Sequence, residues 1–369
     1  ANAKSADGSY WVWIPRYAYK IETCYHTSGE DCEALTGKQA GDIDVKFLKS
    51  TTNLTEDNTT IESTGYEAHV KDTSMHHFLH PAFQFNGEEL GFWIAKFEPS
   101  VADQSNDCYV NPSTTNCNKS TLIPKIIPNA ISWRYVNVYN TFEISLNLKN
   151  KNEIYGWFSS EVDTHMMTNL EWGAIVYLTQ SKFGANDQVW NNSYLYYKTG
   201  CGASNNNAFN EIICYSYDTV NGQKASTTHN IYGVYDMSGG TWERVMGNYD
   251  NLINVSGFIR ISDVVALESK YLTRYYSNPD VGIDYNPQTY GDAIYETSYD
   301  AYINDGSGWH GNESGSWYGA YSYLPYVSDS WFGRGGSNSA NYGAGLYYFR
   351  YSSGGAYVMS GFRPSIAPL

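Results

Sequence analysis

The chain has 369 residues, 42 % hydrophobic and 17 % charged, a globular composition rather than a disordered one. Its 23 Lys and Arg stand against 38 Asp and Glu, a net charge of -15, which argues against nucleic acid or an anionic lipid surface as the main partner. The unusual number is aromatic, with 35 Tyr, 11 Trp and 14 Phe, enough polar-tipped rings to build a core and still line a binding surface.

The chain opens on Ala1-Asn2-Ala3 and reads as a processed or a trimmed chain, so that any anchor or address upstream is not visible in it. No apolar run reaches the roughly 18 residues of a membrane span. Tyr10-Trp-Val-Trp-Ile-Pro-Arg-Tyr-Ala-Tyr-Lys-Ile21 is aromatic and β-branched, and predicts a strand pair broken at Pro15. Residues 22–72 are polar and predict loops. Leu90–Glu98 predicts a buried strand, and 99–128 a further loop. Residues 130–148 predict a helix capped by Ser132, with Val136, Tyr139, Phe142 and Leu146 on one face. Thr168–Lys182 predicts a second helix. Thr168 and Glu171 form a capping-box pattern there, and Trp172, Ile175, Val176 and Thr179 a buried stripe. Beyond residue 185, Gly, Asn, Ser, Tyr and Trp dominate, and no further helix is expected. The pattern is α+β, with two main helices and short antiparallel strands among many loops. No linker divides residues 1–369, so a single domain is expected.

The cysteines fall into three close pairs, Cys24 with Cys32, Cys108 with Cys117, and Cys201 with Cys214. Disulfide staples of loops near 22–72, 99–128 and 201–214 are the natural reading and imply an oxidising compartment. Reduced surface cysteines are the alternative. His76, His77 and His80 have metal-like spacing, but a core or loop role for them is preferred.

Several segments, in order, resemble the formylglycine-generating-enzyme (sulfatase-modifying factor) family, which has a variant of the C-type lectin fold. They are Leu90–Glu98, Pro128-Asn-Ala-Ile-Ser-Trp133, Thr168-Asn-Leu-Glu-Trp172 and Asn230-Ile-Tyr-Gly-Val-Tyr-Asp-Met-Ser-Gly-Gly-Thr-Trp-Glu243. Arg334-Gly-Gly-Ser337 and Gly361-Phe-Arg363 close the frame. The resemblance implies a C-type lectin-like fold in which Trp242 is buried and Glu243 and Arg363 are internal hydrogen-bonding groups. It also implies that Asp236 and Glu243 help ligate Ca²⁺. Gly240 stands where the family has Asn, which removes an oxygen ligand.

The family's oxidases carry two active cysteines between the RGGS and GFR segments. Residues 337–361 contain no Cys, so thiolate chemistry has no nucleophile there and no enzyme activity is expected. Residues 338–360 are instead rich in Tyr, Ser, Gly and Asn, a paratope-like composition. Much of this set follows from Asn codons altered only at adenines. The segment thus resembles the variable proteins of diversity-generating retroelements, which share the frame. The expected binding face is Asn338, Ser339, Asn341, Tyr342, Tyr347, Tyr348, Phe349, Tyr351 and Tyr357, with Trp331 beside it. The expected function is a secreted or surface-displayed ligand-binding protein, of adhesin or receptor-binding type, on a cell or virion. Its partner would be a protein or glycan on another surface. A structural subunit of a phage tail or surface filament, and a divergent enzyme of this family, are the alternatives.

Overall fold

The aromatic run that opens the chain forms strands where its composition predicts them. In this computed structural model, β1 (Asn2–Lys4) and β2 (Tyr10–Pro15) are followed by β3 (Tyr17–Ile21), with the break at Arg16, one residue after the expected Pro15. The structure describes residues 1–26, 40–61, 76–85, 87, 90–111, 114–203, 212–278, 282–284, 290–298, 303–304, 309–310, 315–340 and 344–369.

Residues 22–72 are not all loop. Ile43–Phe47 forms β4, antiparallel to β3. Its sequence, Ile-Asp-Val-Lys-Phe, alternates apolar and polar, and Ile43 and Val45 are buried. The predicted strand at 90–98 is β5 (Gly91–Ala95).

The first predicted helix is shorter and starts later than expected. Helix α1 spans Val138–Leu146, and its N-cap is Asn137, whose side chain accepts from the Asn140 amide. Ser132 lies outside it, with its hydroxyl on Glu98. Val138, Thr141, Phe142, Ile144 and Ser145 are buried, while Tyr139 is exposed. Strand β6 (Val162–Met166) follows. Helix α2 (Asn169–Gln180) carries the predicted capping box. The Glu171 amide donates to Thr168 Oγ1 and the Thr168 amide to Glu171 Oε2. Trp172, Ile175, Val176 and Thr179 are buried as expected, but so are Ala174 and Tyr177, so α2 is enclosed on nearly every side.

Beyond residue 185 the described residues are loop-rich yet hold the second sheet, a short α-helix, Ile261–Val265, and short 3-10 turns. That sheet comprises β7 (Trp242–Tyr249), β8 (Thr273–Asn278), β9 (Trp331–Arg334), β10 (Phe349–Ser352) and β11 (Ser360–Phe362), with the short strand Gly282–Asp284 antiparallel to β8 at its edge. Strand β7 is central. It pairs antiparallel with β9 on one side, and parallel with β8 and β11 on the other, while β10 extends the sheet beyond β9. The last strand, β12 (Pro364–Pro368), joins the first sheet in the order β1-β2-β5-β12-β6, antiparallel throughout.

The protein is therefore a mixed α+β structure in which antiparallel pairing dominates. Trp172, Tyr177, Phe332 and Phe349 belong to one core between the sheets and α2. Disulfides join Cys108 to Cys117 and Cys201 to Cys214. Cys24 is also disulfide-bonded, and its expected partner Cys32 lies outside the described residues. No helix among the described residues is long and apolar enough to cross a membrane.

Candidate functional site

The family-like signature runs into the start of β7 at Trp242 and Glu243, and its carboxylates turn inward. Glu243 and Arg363 are fully buried. Arg363 Nε donates to Glu243 Oε2 at 2.8 Å, and Nη2 donates to Oε1. The remaining guanidinium donors reach the carbonyls of Ala95 at 2.6 Å and Tyr235 at 2.9 Å. This is a bidentate pair with its outer donors also satisfied.

Asp236 is closed in a different way. Its Oδ1 accepts from the Gly200 amide at 2.9 Å and Asn192 Nδ2 at 3.0 Å, and its Oδ2 from the Glu98 amide at 3.3 Å. Glu98 Oε1 accepts from both the amide and hydroxyl of Thr241 at 2.8 Å, and Oε2 from the Ser132 hydroxyl. Burial pushes the carboxyls of Glu98, Asp236 and Glu243 upward, and for Glu98 the nearby Asp236 and Glu243 add to it.

This arrangement does not fit the Ca²⁺ expectation at Asp236 and Glu243. Arg363 occupies both oxygens of Glu243, and peptide N–H groups and an amide occupy Asp236. Among the described residues, no group of three or more His, Cys, Asp or Glu side chains is arranged to hold a metal ion. The Gly in place of the family's Asn has a physical reason. Gly240 has φ +68°, and a Cβ there would lie 2.7 Å from Glu98 Oε1, so the Glu98 carboxylate fills the space a larger side chain would need. The histidines do not converge either. His77 Nε2 meets Asp44 at 2.9 Å, while His80 Nε2 donates to the Gly291 carbonyl at 2.9 Å.

The expected binding face divides in two. Tyr347, Tyr348, Phe349, Trp331 and Asn338 are all buried. Tyr347 packs against Trp317 and Tyr318, and Trp331 stacks on Phe258. Asn338 donates from its backbone to the Gly240 carbonyl and from its side chain to the Tyr194 carbonyl. These five are framework: Tyr347, Tyr348 and Phe349 belong to the core beside α2, Trp331 belongs to a second core with Phe258 and α1, and Asn338 is fixed by its hydrogen bonds. Ser339 is half-buried, with its hydroxyl 3.0 Å from that of Ser337. Tyr351 is half-buried and Tyr357 is 46 % exposed. Asn341 and Tyr342 lie outside the described residues.

Two residues that sequence reasoning did not assign to this face complete it. Trp242 is half-buried rather than buried, and Tyr357 stacks on it with centroids 5.7 Å apart and planes 13° apart. Arg350 lies over the other flank of the group, 4.6 Å from the Trp242 ring centre and 5.2 Å from that of Tyr351. Strand register explains the meeting. Arg244, Gly333 and Arg350 are cross-strand partners, so they share a face with Trp242, two residues before Arg244. Gly333 has no side chain, which lets Arg350 and Trp242 touch across it. Tyr351 is bracketed edge-on by Tyr326 at 5.2 Å and Tyr323 at 6.1 Å.

The arch 353–359 that carries Tyr357 is tied down from below. Arg244 Nη1 donates to Gly354 O at 3.1 Å and its Nη2 to Gly355 O. Arg134 Nη1 donates to Val358 O at 2.8 Å, and the Tyr135 amide to Tyr357 O at 3.1 Å. A cavity of about 10 Å³ lies elsewhere, between Val189, Trp317, Tyr318 and Tyr347.

No protein-family model matches the chain, and no curated protein matches it.

Proposed function

We propose that this is a non-enzymatic, secreted or surface-displayed ligand-binding protein of adhesin type, on a C-type lectin-like scaffold of the formylglycine-generating-enzyme kind. The observation that carries the reading is the Trp242–Tyr357–Arg350–Tyr351 group, held on strands and on an arch fixed by two arginines. Stiff rings fixed before the partner arrives lose little entropy on binding. The disulfides fit an extracellular setting. The diversified segment, on this reading, is 338–360, with Tyr351, Tyr357 and Ser339 as its outward members and Tyr347, Tyr348 and Phe349 as its inner support.

The test is adhesion of labelled protein to a panel of bacterial and host cells. The double variant Tyr351→Ala, Tyr357→Ala should lose binding and keep its melting temperature within about 3 °C, as expected for partly exposed sites. Undiminished binding refutes the face. A reverse transcriptase beside the gene, with an adenine-rich near-copy of codons 338–360, is the expected genomic signature of diversification.

A further inference from the structure

We propose that Arg350 is the charge anchor of this face and that the partner is a protein that brings a carboxylate to it. The inference rests on the binding-face reading and adds the partner's chemistry.

The argument begins with bookkeeping of cations. The chain has 38 carboxylate side chains against 23 cationic ones, so a surface guanidinium would ordinarily find an acidic neighbour. The other arginines around β7 have settled partners. Arg363 holds Glu243, and Arg244 is filled by the carbonyls of Val136, Gly354 and Gly355. Arg350 differs. Its neighbours are the hydroxyls of Tyr348 and Tyr351 and the Trp242 ring, and no ion pair to it exists among the described residues. The two tyrosine hydroxyls take up part of its N–H edge, and the remaining in-plane N–H groups match a carboxylate in a two-point fork. The surrounding rings lower the local dielectric, which strengthens such a pair relative to one in open water.

The rim of the face favours a protein over an acidic glycan. Val327 and Val255 are each 65 % exposed. Both border the face: Val255 donates its amide to Ser353 O, two residues beyond Tyr351, and Asn254 ties Val327 O to the same corner at 2.9 Å. Aliphatic side chains at the edge of a ring cluster are covered by apolar side chains of a partner, whereas sugars offer them little to bury. The partner surface is therefore an acidic residue flanked by apolar ones.

The experiment pans a random peptide library on the intact protein and measures affinities of synthetic winners on wild type, Arg350→Gln and Tyr357→Ala. Circular dichroism confirms that each variant folds. Winners enriched in Asp or Glu, weakened about tenfold or more by Arg350→Gln and by added salt, are the expected result. Winners without acidic bias, lost in Tyr357→Ala but unchanged in Arg350→Gln, overturn the anchor and leave the face intact. Winners indifferent to both substitutions overturn the face as well. Displacement of the winners by hyaluronate, a uronate polymer, but not by polyglutamate assigns the site to glycans and overturns the protein partner.

Discussion

Acidification should act on one buried imidazole in a way that can be isolated. His80 is fully buried. Four rings surround it, those of Tyr17, Tyr19, Phe83 and Tyr177, with centroids 5.3 to 5.8 Å away. Both nitrogens are used in the neutral form: Nε2–H donates to Gly291 O, and Nδ1 accepts from the Ala82 amide at 3.2 Å. A second proton would meet the Ala82 N–H, and burial pushes His80 down from its ordinary 6.5 to about 4. The unfolded chain takes up this proton near pH 6.5. Stability present above pH 6.5 is therefore lost as pH falls toward 4, and the loss levels off below that. A displacement of about 2.5 pH units, at about 1.4 kcal/mol each, amounts to about 3 kcal/mol.

The wild-type curve alone does not isolate this. Burial pushes Asp292 up to about 7, and its contribution has the opposite sign: it is present at acid pH and lost as pH rises toward 7. The informative quantity is the difference from His80→Asn, in which the shared drift cancels. Asn can still cap the turn at Pro81, where His80 now accepts from Ala82, and it does not titrate. Urea unfolding at pH 7 and pH 4 should show the gap between the two proteins narrowing by about 3 kcal/mol. A gap that stays constant within about 0.5 kcal/mol refutes the reasoning.

Two further substitutions probe the buried charges. Arg363→Met leaves Glu243 uncompensated at zero exposure and should destabilise by about 3–5 kcal/mol in chemical denaturation at pH 7, with part of that regained at lower pH as the carboxyl protonates. Gly240→Asn restores the residue type of the resembling family but forces a Cβ against Glu98. It should lower stability by about 1–3 kcal/mol, and a second change, Glu98→Ala, should relieve part of that cost in a double-mutant cycle.

The local signals in the sequence were the legible ones. Thr168 and Glu171 announce the start of α2 because a capping box is closed by groups three residues apart. The start of α1 was misplaced because Ser132 and Asn137 are equally cap-like in sequence, and the choice is made by tertiary contact, with Ser132 drawn to Glu98. The alternation Ile43-Asp-Val-Lys-Phe47 was present in the sequence as a strand signal, but the polar stretch around it masked it. The candidate face was half legible. Composition singled out residues 338–360, yet it could not sort Tyr347 from Tyr351, since burial of one and not the other depends on Trp317 and Tyr318 arriving from a distant segment. Trp242 and Arg350 were missed as partners because their meeting depends on strand register and the small Gly333 between them.

The position of β12 has a consequence for how such a chain would tolerate change. Residues 364–368 lie inside the first sheet, between β5 and β6, and Arg363 just before them holds Glu243. A stop codon or frameshift anywhere in 338–360 removes the strand and the guanidinium together. The products would lack an interior strand whose contacts span most of the chain, and long-range pairing of this kind forms late and cooperatively. Such chains would fail to fold and be degraded, whereas in-frame substitutions at outward positions such as Tyr357 would survive. Were residues 338–360 diversified as proposed, the scaffold would thus act as a reading-frame filter on them, admitting altered surfaces only from chains translated through to the final strand.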